Sequence, residues 1–194
     1  KDIMKAIKES STSVFELLST LISWAKSQNG DTLYHPLIYS INEIVNDCIQ
    51  LLSPSAINKN ITLSADIKTE ITGYFDKIMI TTVIRNLISN ALKFTNRDGN
   101  VVIGAKKDYQ YITVYVKDNG IGIKPENTKK LFEIDYKFTT SGTNNEKGTG
   151  LGLNLCKNFI IRNGGEIWVI SEPGKGSTFS FTLPVRVEHQ KSVA

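Results

Sequence analysis

Residues 1–28 contain neither proline nor glycine, and Met4, Ile7, Ser11, Val14, Leu18, Leu21 and Ala25 recur at alternating spacings of three and four. That is a heptad seam interrupted once, by Ser11, and a helix carrying it must bury the stripe against another helix. Asn29-Gly30 then supplies a helix stop. From residue 33 the period changes. Residues 33–40 read as a short strand interrupted by Pro36, which favours a sheet edge. Residues 41–52 are amphipathic, with Ile41, Ile44, Val45, Cys48, Ile49 and Leu52 on one helical face and Pro54 just beyond the expected end. Ile61, Leu63, Ala65 and Ile67 alternate as in a strand.

Asp76 is a suitable N-cap for a long helix reaching about residue 94. Residues 100–106 and 111–117 form two strands around a polar turn, with Ile112, Val114 and Val116 facing one way. Residues 118–147 are polar and irregular apart from a short helix expected near Leu131. Residues 149–162 are helical, closed by Gly164-Gly165 as a C-cap. Residues 166–170 and 177–183 make a last strand pair, in which Phe179, Phe181 and Leu183 alternate. Strands paired in sequence with helices between them predict an α/β two-layer sandwich. Its mixed sheet carries helices on one face, and one long N-terminal helix precedes it. The expected units are residues 1–29, 30–187 and a tail, 188–194.

Composition adds little to this outline. Hydrophobic residues at 40% and charged residues at 22% fit a soluble globular chain, and no apolar run reaches the length of a membrane span. The formal charge of +4 is mild and dispersed, so nucleic acid is not indicated and no membrane contact is expected. Cys48 and Cys156 lack metal-ligand spacing and read as buried free thiols, which suits a reducing, cytoplasmic setting. A start at Lys1 rather than Met suggests an excerpt of a longer protein.

Three stretches carry chemistry. On the helix after Asp76, at about 100° per residue, Ile80, Val83, Ile84, Leu87, Ile88 and Ala91 cluster on one side. Asn86, Asn90 and Lys93 form a strip roughly 130° away. Amide oxygens are neutral hard ligands suited to Mg²⁺, and a lysine adds a point charge for phosphate; a solvated face would look the same. Asp118-Asn119-Gly120-Ile121-Gly122 follows a strand directly. A carboxylate there can accept from the exocyclic amine of adenine, although Asp-Asn-Gly is also ordinary turn chemistry. Gly148-Thr149-Gly150-Leu151-Gly152 opens a helix, where free backbone N–H groups favour phosphate. No strand precedes it, which excludes a dinucleotide fingerprint, and Gly174-Lys175-Gly176 is not a Walker A motif.

Together and in this order, the three stretches resemble the N, G1 and G2 boxes of the ATPase family shared by gyrase, Hsp90, histidine kinases and MutL. The run from Asn86 to Thr95, Asn-Leu-Ile-Ser-Asn-Ala-Leu-Lys-Phe-Thr, is similar to the sensor histidine kinase version. Leu131-Phe132-Glu133 resembles the kinase F box, and residues 174–179 resemble the stretch closing the adenine pocket. The resemblance implies a Bergerat-type ATP-binding fold over about residues 33–187, with ATP and Mg²⁺ as cofactors. It implies that Asp118 binds the adenine amine with Thr178 nearby, and that Gly120 and Gly122 shape this loop. Asn86 and Asn90 would hold Mg²⁺ and phosphate oxygens, Asn86 being the direct metal ligand, and Lys93 would touch the phosphates. Asn86 and Lys93 are thus the expected catalytic residues. Lys147, Gly148, Thr149, Gly150, Leu151 and Gly152 would frame the triphosphate, residues 124–147 would be a mobile lid, and Phe132, Lys137 and Phe138 would position it.

The same resemblance makes residues 1–29 the second helix of a dimerisation and phosphotransfer hairpin. Its first helix, bearing the phosphoacceptor histidine, is not in the sequence; His35 and His189 sit in a strand and a polar tail. The implied activity is transfer of the ATP γ-phosphate to a histidine outside this sequence, without autophosphorylation of the fragment. The implied partners are that hairpin, a second copy of the parent protein and a response regulator receiver domain. Two alternatives are an ATP-hydrolysing conformational switch, disfavoured by the lack of a carboxylate near Asn86, and a non-catalytic nucleotide-gated interaction module.

Overall fold

The computed structural model describes residues 34–128, 130–133, 141–144, 146, 150 and 152–185. The expected N-terminal helix and the tail lie outside them. Five strands form one sheet in the order β2-β4-β5-β7-β6. These are β2 (Thr62–Asp66), β4 (Asn100–Lys107), β5 (Tyr111–Asp118), β6 (Ile167–Glu172) and β7 (Gly176–Pro184). β2 and β4 run parallel and the other neighbours antiparallel, so the sheet is mixed. Helices α1 (Ile41–Asn58), α2 (Lys77–Phe94) and α4 (Gly152–Arg162) pack on one face, as the sequence predicts. α3 (Pro125–Thr128) is a single turn. No helix among the described residues is long and apolar enough to cross a membrane.

Alternation decides which face each strand buries. Val101, Ile103, Ile112, Val114, Val116, Phe179, Phe181 and Leu183 point into the layer beneath the helices and are buried. They meet Ile80, Val83, Ile84, Leu87 and Ile88, the apolar side of α2, all fully enclosed. The opposite face carries Thr113, Tyr115, Lys117, Thr182 and Trp168. Cys48 and Cys156 lie in the core as free thiols, and burial pushes them up to about 11 and about 12.

Several boundaries differ from expectation for physical reasons. α1 does not stop before Pro54 but continues to Asn58. Proline removes the bond to the carbonyl one turn back and crowds it, but both Pro54 and Gln50 are exposed, so that carbonyl can tilt out to solvent. Lys59 caps the helix, and Asn60 just beyond it adopts a left-handed φ of 55° while Ile61 N donates to Ala56 O at 2.9 Å. β3 (Thr72–Asp76) is a strand that the sequence pattern does not announce. Gly73 interrupts its alternation, and the strand exists through antiparallel pairing with β1 (Pro36–Ser40) in a separate two-stranded ribbon. The short helix lies at α3, where Pro125 is preset for a first helical position, and Leu131 and Phe132 occupy a turn instead. α4 is described from Gly152 rather than residue 149, because Gly150 has a left-handed φ of 73° that no helix can include. Its expected C-cap is present: Gly164 has φ 75°, and Gly165 N donates to Ile160 O at 3.0 Å.

Candidate nucleotide site

α2 begins at the expected cap, with Asp76 Oδ1 accepting from Met79 N at 3.0 Å. Asp76 Oδ2 takes His35 N, and Asp76 N donates to Asn163 Oδ1, so β1, α2 and the end of α4 are tied at one point. The helix therefore presents a defined strip. Asn86, Asn90 and Lys93 are half-buried on it, and Asn90 Nδ2 donates to Asn86 Oδ1 at 3.0 Å. A carbonyl oxygen has two lone pairs, so Asn86 Oδ1 retains one for a ligand. Burial lowers the Lys93 pKa, opposed by the negative charge of Glu146, and its ammonium stands 4.8 Å from the Phe94 ring centroid.

Asp118 ends β5 on the same parity as Val114 and Val116, so its side chain enters the helix-covered face. Only 5% of it is exposed. Its Oδ1 accepts from Gly120 N at 2.8 Å and Ser177 N at 3.2 Å, and Oδ2 has no hydrogen-bond partner among the described residues. Burial raises the Asp118 pKa, and the two backbone donors offset part of that rise.

The glycines explain how these groups converge. Gly120 lies against the end of α2: a Cβ there would stand 2.8 Å from Phe94 C, and Ile121 N donates to Phe94 O at 3.1 Å. Gly122, at φ 66°, lies on the backbone of Glu172 and Pro173, while Gly174 N donates to Ile121 O at 2.8 Å. The loop after β5 is thereby zipped to both α2 and the β6–β7 turn. Gly152 opens α4 directly against the amide strip, since a Cβ would stand 2.9 Å from Asn86 Oδ1 and nearer still to Nδ2. The N-terminus of α4 thus meets the amide strip, and the loop after Asp118 meets the C-terminal end of the same α2 helix that carries it. Lys147, Gly148, Thr149 and Leu151 lie outside the described residues, as do Lys137 and Phe138. Phe132 packs on the core, and Lys157 Nζ donates to its carbonyl at 3.4 Å, which ties the F-box turn to α4.

Thr178 pairs with Lys117 and Ile170, on the opposite parity to Asp118, yet Thr178, Asp118 and Ser177 all line one hollow of about 350 Å³ at this end of the sheet. Ser177 is the residue of this stretch that hydrogen-bonds to Asp118. It is buried, its N–H reaches Asp118, and its hydroxyl lies 2.9 Å from Ser171 Oγ. The signal was available, because extending the Phe179, Phe181, Leu183 alternation by one step reaches residue 177. Lys59, Thr143 and Glu146, which contact the end of α2, had no comparable signature.

A family model described as histidine kinase-, DNA gyrase B- and HSP90-like ATPase matches residues 75–187. This chain belongs to that family. It is 30% identical over 187 residues to the sensor histidine kinase RcsC of Escherichia coli (strain K12), covering 94% of this chain and 19% of RcsC. It is 33% identical over 171 residues to the adaptive-response sensory kinase SasA of Synechocystis, covering 87% of this chain and 44% of SasA. The chain therefore spans less than half the length of these relatives. Among solved structures, the nucleotide-free catalytic domain of histidine kinase ThkA superposes with a TM-score of 0.69 at 27% identity, over 78% of this chain and 96% of that domain. ThkA in complex with the response regulator TrrA gives 0.70 at 23% identity, over 93% of this chain and 52% of that one. The domain is homologous to sensor histidine kinase catalytic domains.

Proposed function

We propose that this domain binds ATP with Mg²⁺ and delivers the γ-phosphate to a histidine on a hairpin lying outside the sequence, within a two-component kinase. The observation that carries the reading is the meeting of Asn86 with Gly152. It sets an amide strip against a helix N-terminus, the combination that a phosphate chain and its cation require. No group of three or more His, Cys, Asp or Glu side chains gathers among the described residues, so amide and phosphate oxygens form the fitting donor set. Asn86, with Asn90 beside it, would hold Mg²⁺, which supplies charge neutralisation at the phosphates. Asp118 accepts the adenine amine through Oδ2, and Ser177 holds Oδ1 in place. Lys93 adds a positive charge, and its desolvation makes that charge more effective near phosphate. The chain's own contribution is positioning and electrostatics, as phosphoryl transfer demands.

Residues 1–29 are read as the second hairpin helix and 30–187 as the catalytic domain, acting in the cytoplasm within a dimer of the parent protein. A receiver domain is the downstream partner, by analogy with the ThkA complex. α2 contains no acidic residue; Thr82 Oγ1 donates to Ile78 O, and Arg85 is exposed, so nothing on the strip can activate water. Labelling with γ-³²P ATP should place phosphate on the hairpin histidine of the full-length parent protein. Incubated alone, this chain should stay unlabelled and release little phosphate. Label on His35 or His189, or rapid steady-state phosphate release, would overturn the reading.

Gly152→Ala separates site from fold. Alanine gains little at the first residue of a helix, and its methyl crowds the Asn86 side chain, which can turn aside, so the melting temperature should fall only slightly. The added methyl displaces the Asn86 amide, and Mg²⁺-dependent ATP affinity should fall by about tenfold, the worth of one good polar contact. Calorimetry with and without Mg²⁺ checks both.

A further inference from the structure

Lys59 is a lysine whose ammonium does not reach water as most do: only 7% of the residue is exposed. It follows α1, yet its Nζ turns inward to four acceptors. These are Leu92 O at 2.7 Å, Lys93 O at 3.1 Å, Thr143 Oγ1 at 2.7 Å and Glu146 Oε1 at 3.0 Å. The first two are carbonyls of the last turn of α2, left without intrahelical partners. The neighbouring carbonyls are also satisfied, Ala91 O by Thr95 N and Oγ1, and Phe94 O by Ile121 N. A positive charge at a helix C-terminus is electrostatically favoured. Helix capping accounts for half of the Lys59 contacts and leaves the other half unexplained.

That other half is Thr143 and Glu146, which lie beside Gly142 and Asn144. Gly142 N donates to Glu146 O at 2.9 Å, and Asn144 N donates to Glu146 Oε2 at 2.7 Å. Thr143 N donates to Lys93 O at 3.0 Å, and the Thr143 hydroxyl lies 2.9 Å from Thr95 O. Gly142 sits on the Lys93 side chain, where a Cβ would stand 2.6 Å from Lys93 Cγ. Burial pushes the Glu146 pKa up, but backbone N–H groups and Lys59 outweigh it, so its carboxyl is held below the usual range. A buried cation needs its counter-charge, and Glu146 is the salt-bridge partner of Lys59 among the described residues.

We propose that Lys59, paired with Glu146, is a positioning residue for the nucleotide site. It holds Thr143 and Glu146 against the end of α2, with Gly142 on the Lys93 side chain, and so sets Lys93. The proposal rests on the reading of Lys93 as a phosphate contact. Adenine recognition lies at Asp118, whose carboxylate accepts from Gly120 and Ser177 and from no member of this cluster among the described residues.

The test compares wild type, Lys59→Met, Lys59→Arg and Glu146→Gln in the 194-residue chain, titrated with Mg·ATP by calorimetry and with adenosine by NMR. Lys59→Met and Glu146→Gln should each weaken Mg·ATP by about tenfold, the scale of one charge-assisted hydrogen bond. Adenosine binding should stay within about twofold of wild type, because positioning of phosphates does not touch the adenine anchor. Lys59→Arg should restore most of the loss, and hydrogen exchange at the Gly142 and Thr143 amides should quicken in Lys59→Met. Equal ATP affinity in Glu146→Gln and wild type would overturn the proposal. So would parallel losses of ATP and adenosine binding that track melting temperature, which would make Lys59 a fold element alone. A wild-type chain that binds adenosine and ATP equally weakly would instead overturn the reading of the phosphate site itself.

Discussion

Asp118→Asn should reduce ATP affinity by at least about a hundredfold while leaving the fold intact. The amide oxygen can still accept from Gly120 N and Ser177 N, as Oδ1 does now. The amide nitrogen then takes the place of Oδ2 and presents a donor to the donor amine of adenine. Losing a charge-assisted bond and gaining an unsatisfied pair costs about 3 kcal/mol or more. Stability should change little, because the variant relieves a buried charge while weakening two hydrogen bonds to it. Calorimetry and thermal melting on the same samples decide the matter; tight ATP binding by the variant would remove Asp118 from the adenine site.

The pH dependence follows from the same carboxyl. Burial raises its folded pKa above the unfolded value, and the two backbone donors only partly reverse the rise. Between those two values the native state binds more protons than the unfolded one, so this group's contribution to stability falls as pH rises through the window. ATP binding runs the opposite way, since only the ionised oxygen is a full acceptor. Affinity should climb as pH rises through the folded pKa and then level off. Asp118→Asn should flatten both profiles.

Gly176→Ala should be the most destabilising of the glycine substitutions around Asp118, at about 2–4 kcal/mol. Gly176 has φ 97°, and an added Cβ would stand 2.7 Å from Asn119 Cα and 2.8 Å from Asp118 C, with the Asp118 carbonyl oxygen closer still. All three are backbone atoms that cannot swing aside. Gly174→Ala is the control: its φ of 78° is also left-handed, but nothing lies within 4 Å of the added methyl. Strain alone should cost about 1–2 kcal/mol there. Urea denaturation of both variants checks the order, and equal midpoints would contradict the close approach. The Asp118 carboxylate reports the same event, because Ser177 N is carried by the residue after Gly176.

Much of this organisation was legible because periodicity reports burial directly. The apolar side of α2 could be read from 3.6-residue spacing, and the cap at Asp76 from its chemistry. The strands at residues 100–106 and 111–117 needed only alternation and a polar turn. β3 was not legible, since five residues containing Gly73 hold a strand conformation only while β1 lies beside them. Pro54 misled for a related reason: a lost helical bond matters little where water can replace it, and exposure is not written in the local sequence.

The sequence by itself determined the chemical inventory and its order: an amide strip, a carboxylate after a strand, and glycines opening a helix. Local spacing dictates those features, because each belongs to one element whose geometry is regular. Tertiary structure alone decided which groups meet. Gly152 reaches Asn86 across 66 residues, Ser177 N–H reaches the Asp118 carboxylate, and Lys59 crosses 87 residues to Glu146. Such contacts depend on how whole elements pack and on which face of the pleat a residue occupies, and no local window contains that information.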